Sequence, residues 1–157
     1  MFRFTIRGAC EAAADEQTDN WVNAFLSNGL GANALGANVP MALGLLKQQR
    51  WWIGPVLVPV ASLTRICGPE PEMDYRTSVE GFEAKVAAIA AIEPSELPPL
   101  ILEYRGVSLG LCDGSHRHEA ARRRGAESIW ALIWCNSESD FHLAKAVYGR
   151  PADRVAP

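Results

Sequence analysis

The chain contains no apolar run approaching the roughly 20 residues that a helix needs to cross a bilayer, so no membrane span is expected. Residues 1–10 carry Arg3 and Arg7 and no continuous apolar core, unlike a secretion signal. An excess of positive charge is also missing. Fifteen Lys and Arg face 18 Asp and Glu, a net charge of -3, which excludes a strongly basic nucleic-acid coat while leaving room for a local patch. The four cysteines, Cys10, Cys67, Cys112 and Cys135, form no Cys-x-x-Cys pair, and Cys and His never fall at paired zinc-finger spacings. They are expected as reduced, mostly buried thiols of a cytoplasmic protein. No internal repeat is visible.

What remains is a chain of 157 residues with 48% hydrophobic residues, enough for one compact domain. Residues 1–54 read as a helical extension. The alternation over residues 2–7 suggests a short edge strand, and Trp21, Val22, Phe25 and Leu26 form one apolar helical face over residues 11–27. A Gly- and Asn-rich loop follows, and Pro40 is placed to open a short helix running to Arg50. Trp51 and Trp52 read as core or edge-packing aromatics. From Pro55 the texture changes. Val56-Leu57-Val58-Pro59-Val60 predicts a strand, with Pro59 marking an edge or an end. Residues 67–75 hold two prolines and three acids and predict a loop. Phe82, Val86, Ile89 and Ala90 predict a helix over residues 79–92. Strands are expected at residues 100–102, 107–112 and 128–135. Helices are expected at residues 115–124, stopped by Gly125, and at residues 140–148, capped near Ser137 or Ser139 and closed by Gly149 and Pro151.

The segment Leu109-Gly110-Leu111-Cys112-Asp113-Gly114-Ser115-His116-Arg117 carries the most information. A buried strand meets a helix N-terminus through one glycine, where unpaired amides and the positive dipole end suit an anion. Gly114 permits close approach of a phosphate, and Ser115, His116 and Arg117 add donors. The same residues also suit an ordinary capped helix with a solvated first turn.

The pattern Gly114-x-x-Arg117-x-x-Ala120-Ala121 resembles the box of ParB N-terminal domains, and Gly114-Ser115-His116-Arg117 resembles the Gly-Cys-His-Arg box of sulfiredoxins. Upstream, residues 58–65, Ala84-Lys85-Val86 and Pro98-Pro99-Leu100-Ile101 look like further sulfiredoxin pieces in the right order. This resemblance, over about residues 55–148, implies an α+β domain of ParB/sulfiredoxin type: a small mixed sheet flanked by helices, with residues 55–157 as the nucleotide-binding domain. It implies that Gly114, Ser115, His116 and Arg117 hold the phosphates of ATP or CTP with Mg2+, that Lys85 helps to hold the nucleotide, and that Arg65 lies beside the reacting group.

Departures narrow the function. Ser115 stands where a sulfiredoxin has its nucleophilic Cys, so repair of oxidised peroxiredoxin is not expected. Cys112 reads as core rather than as a substitute. Positions 88 and 92 are Ala and Ile, where nucleotide-facing hydroxyls are expected on the helix of Lys85. The Glu-Asn-x-x-Arg motif of ParB is missing, and no helix-turn-helix fits in the remaining sequence. Asp113-Gly114-Ser115-His116-Arg117 also resembles the Asp-Gly-His-His-Arg box of free-serine kinases. That likeness implies a phosphotransferase or NTP hydrolase with Asp113, His116 and Arg65 as the catalytic residues, Asp113 acting as base toward a small-molecule hydroxyl. The acidic loop of Glu70, Glu72 and Asp74 suits Mg2+ or an amine substrate as well as plain solvent. The alternative is a CTP- or DNA-associated binding module, possibly a nuclease, with Arg122, Arg123 and Arg124 meeting DNA; the same arginines also suit a solvated helix end. His118 is expected on the surface, His142 in packing or capping, Trp130 and Trp134 in the core, and Arg76 either near the nucleotide or in solvent.

Overall fold

A computed structural model describes residues 1–149. Helix α1 spans Ile6–Ala14. The alternating residues before it therefore do not form the expected edge strand. The Thr5 side chain accepts from the Gly8 amide at 3.0 Å, and this cap turns the chain into a helix whose Ile6, Ala9 and Ala12 are buried. Helix α2, Thr18–Asn28, carries the predicted face of Trp21, Val22, Phe25 and Leu26. The helical signal from residue 11 is thus divided between two helices, at a turn where Glu16 takes φ 57°. Helix α3, Val39–Leu45, is capped by Asn38 and is shorter than predicted.

Strand β1, Trp51–Pro59, follows, so the expected boundary at residues 54 and 55 falls inside one strand. It falls at the irregularity between Ile53 and Val56. The loop predicted at residues 67–75 includes a two-residue parallel pairing of β2, Cys67–Gly68, with β3, Tyr75–Arg76. Helix α4 is Val79–Ala90, strand β4 Leu100–Tyr104 and strand β5 Leu109–Asp113. Helix α5 is Ser115–Arg123, strand β6 Ser128–Cys135 and helix α6 Glu138–Tyr148. Helix α6 is capped by Ser137 and ends at Gly149; Pro151 lies outside the described residues.

The principal sheet has the order β1-β6-β4-β5. Strand β6 pairs antiparallel with β1 and parallel with β4, and β4 pairs antiparallel with β5. This is the small mixed sheet flanked by helices that the resemblance implies. The apolar run of β6 suits a strand covered on both faces. Ala131, Ile133 and Cys135 pack in the cluster that includes Ala144 and Phe141 of α6. Leu132 and Trp134 pack with Ile101 against Ala9 and Ala12 of α1, the α2 face and Ala42 of α3. The first three helices are therefore one layer of the core. A third cluster, Phe82, Val86, Ile89, Leu97 and Ala120, joins α4 to α5. Among the cysteines only Cys135 is fully buried; Cys10, Cys67 and Cys112 are partly buried, and all four are free.

Among the described residues no helix is long and apolar enough to cross a membrane. Trp21 is fully buried, and its indole N–H donates to the Arg3 carbonyl at 2.9 Å. Trp21→Ala is expected to destabilise the whole protein by about 3–5 kcal/mol. Urea unfolding followed by circular dichroism checks this, and a single shifted transition is the expected form because the helical layer shares the sheet's core.

Candidate functional site

Strand β5 delivers Asp113 to the turn, and Gly114 reverses the chain at φ 113°, a left-handed conformation that glycine adopts most readily. A Cβ at this position would also collide with the Leu100 side chain and lie 2.9 Å from Nη2 of Arg117. The helical ladder of α5 begins with the His118 amide donating to the Gly114 carbonyl at 2.8 Å. Thr5, Asn38, Ser78 and Ser137 cap α1, α3, α4 and α6 with side-chain oxygens, whereas α2 and α5 have no side-chain cap. The first amides of α5 thus lie at the positive end of the helix dipole with no side-chain oxygen to accept from them.

The residues of the turn divide between two environments. Ser115 is 5% exposed, and its Oγ accepts from the Ile66 amide at 3.3 Å. That bond ties the turn to the segment after β1. The His116 ring is partly buried, lies 5.2 Å from the Phe82 ring, and has a buried Nε2 without a hydrogen-bond partner. Burial holds its pKa below the usual histidine value, with the charges of Lys85 and Arg117 acting the same way. Lys85 is exposed on α4, close enough for its charge to act on both His116 and Cys67.

Arg117 points inward and is 3% exposed. Its Nη2 donates to the Pro99 carbonyl at 3.1 Å and to Oδ2 of Asp113 at 3.2 Å. Its guanidinium carbon lies 5.3 Å from the centre of the Phe25 ring. Asn38 donates to the other Asp113 oxygen at 3.4 Å. The side chain expected to grip phosphate is therefore engaged with the protein beneath the turn, covered by the N-terminal layer.

Arg65 lies on the opposite flank of α5. Its Nη2 meets Oε1 of Glu70 at 2.5 Å and its Nη1 meets Oε2 at 3.2 Å, while its Nε lies 3.3 Å from Glu119. The guanidinium stacks 4.7 Å from the centre of the Phe82 ring. Phe82 thus touches both Arg65 and His116, bringing those residues and Lys85 to one side of the turn. Glu72 and Asp74 are exposed. Arg76 is also exposed and donates to the Pro69 carbonyl at 3.2 Å. Among the described residues no group of three His, Cys, Asp or Glu is arranged to hold a metal ion.

The arginines later in α5 are largely matched. Arg122 donates to both Glu119 oxygens at 2.9 and 2.6 Å. Arg123 donates to Glu119 at 2.7 Å and to both Glu83 oxygens at 2.7 and 2.8 Å. Arg124 is exposed. His118, expected on the surface, is 5% exposed and bonds Val60 O through Nε2 at 2.9 Å, because its position on α5 faces the turn after β1. The roles of Asn38, Phe25 and Glu70 around these arginines were missed by the sequence reading. The spacing of Glu119 to Arg123 on one helix was the visible signal for part of the network.

No protein-family model matches the chain, and neither does any curated protein. Among solved structures, a sulfiredoxin from Arabidopsis thaliana is similar at 20% identity, over 57% of this chain and 96% of that one, with a TM-score of 0.37.

Glu119 is the most strongly shifted carboxylate beside the turn. Two hydrogen bonds from Arg122, followed by one from Arg123, lower its pKa from 4.5 to about 2. A depressed carboxylate pKa stabilises the fold fully above the unfolded value, and that contribution disappears as pH falls through the folded one. Stability is therefore expected to drop between pH 4.5 and about 2. Glu119→Gln should flatten that part of the profile, as measured by urea unfolding at stepped pH.

Proposed function

We propose that the chain binds a nucleoside triphosphate with its phosphates on the Gly114 turn, and transfers the terminal phosphoryl group to a small-molecule hydroxyl or to water. The observation that carries this reading is the uncapped N-terminus of α5 behind a left-handed glycine, flanked by His116 with its unpartnered Nε2 and by exposed Lys85. Backbone amides and a helix dipole bind phosphate without a dedicated side chain. Lys85 supplies a charge that can follow the phosphate.

Asp113 suits the part of base. Arg117 holds Oδ2 at 3.2 Å, which fixes the carboxylate, while Oδ1 has only the long 3.4 Å bond from Asn38 and can accept from an incoming hydroxyl. Arg117 is then a positioning residue for Asp113. The donor set fits magnesium carried by the nucleotide phosphates rather than a dedicated protein cage, since no three ligating side chains converge among the described residues. When bound, the metal neutralises charge on the transferring group.

A DNA-binding reading has less support, because Glu119 and Glu83 already neutralise Arg122 and Arg123. Magnesium ATP, magnesium CTP and pyrophosphate should each be tested for raising the melting midpoint, as a ligand that binds only the folded state must do. Lys85→Ala is expected to weaken binding of the active nucleotide by about 1–2 kcal/mol in calorimetry, as for loss of a charge-assisted contact at an exposed site. Binding unchanged in that variant would remove Lys85 from the site. Absence of binding by any of the three compounds would overturn the reading.

A further inference from the structure

A triphosphate needs mobile positive charge around the turn, and most of the nearby cations are committed. Arg117 is enclosed and bonded to Asp113 and Pro99. Arg122 and Arg123 lie farther along α5 in their own ion pairs. Apart from Lys85, the cation tied most directly to the turn is Arg65, which is held by Glu70, by Glu119 and, at 2.9 Å, by the Cys67 carbonyl. The residue after it, Ile66, is bonded to Ser115 in the turn itself, and Arg65 shares the Phe82 ring with His116.

Glu70 holds Arg65 with two bonds, at 2.5 and 3.2 Å. The fold leaves room for this pair. A Cβ on Gly68 would overlap the Arg65 guanidinium and lie 2.5 Å from Oε2 of Glu70. The two carboxylates on Arg65 differ in what its release would leave behind. Glu119 keeps Arg122 and Arg123 if Arg65 departs. Glu70 has a side chain 37% exposed, so its carboxylate returns to water. Releasing Arg65 therefore strands no buried charge and gives up one neutral acceptor, the Cys67 carbonyl at 2.9 Å.

We infer that Glu70 is a built-in competitor for the phosphate site: it occupies Arg65 in the free protein, and a polyphosphate displaces it to recruit that guanidinium to the turn. This rests on the triphosphate reading above and adds a regulator to it. The acidic loop then tunes affinity by holding a phosphate ligand in reserve. Because the pair is partly solvated, the effect is moderate and weakens with salt.

Pyrophosphate serves as the probe, with affinities measured by calorimetry at low salt for the whole protein. Glu70→Gln is expected to tighten binding roughly two- to fivefold, the range for a partly exposed ion pair. In an Arg65→Met background the same substitution should have no effect. The Arg65 Nε–H resonance of the unaltered protein should also move on addition of pyrophosphate, a readout that needs no variant. If the unaltered protein binds pyrophosphate but Glu70→Gln leaves affinity unchanged or weaker, or the Arg65 resonance stays still, the competitor role is overturned and the phosphate site stands. If neither protein binds pyrophosphate, the competitor role is overturned, and the triphosphate reading falls with it only when magnesium ATP and magnesium CTP also fail to bind.

Discussion

The buried pair of Asp113 and Arg117 is the interaction on which the rest of the structure depends. It joins the last residue of β5 to the first turn of α5 across the one glycine that separates them. The same guanidinium holds the Pro99 carbonyl just before β4 and lies over Phe25 of α2. One charge therefore connects two strands, a helix and the N-terminal layer. A buried arginine needs such partners, because removing one partner of a buried pair commonly costs about 3–5 kcal/mol. The Asp113 carboxylate is thereby drawn toward Arg117, and the amides at the start of α5 have no side-chain acceptor.

This arrangement assigns separate tasks to residues that are contiguous in sequence. Arg117 and Ser115 face inward and hold the turn in place, while the amides and His116 remain on the side of Lys85 and Arg65. Charge around that side is nearly balanced, with Arg65, Arg122 and Arg123 matched by Glu70, Glu83 and Glu119. On the proposed reading, an anion would have to reach the helix terminus and displace an existing pair to gain full contact.

Much of the fold was legible because local signals agreed with the packing. The continuous apolar stretch of β6 and the spacing of Phe82, Val86 and Ile89 each correspond to a buried element. The strand-to-helix junction at Gly114 was equally plain. What the sequence concealed depended on distant partners. Residues 2–7 alternate like a strand, yet the Thr5 cap and packing against the sheet make Ile6 the start of a helix. The N-terminal segment reads as an appendage because its apolar face says nothing about where it docks. The inward turn of Arg117 could not be read from its position after His116, since Pro99 and Phe25 reach it from elsewhere in the chain. Gly68 gave no signal of its own, because its small size matters only once Arg65 and Glu70 are brought together.

The central claim is that the first amides of α5 cradle a polyphosphate. Titrating isotopically labelled protein with magnesium ATP and following backbone amide resonances tests it directly. The account predicts that the largest displacements fall on Ser115, His116 and Arg117. Saturable binding whose displacements cluster elsewhere and leave those three amides unmoved would contradict it.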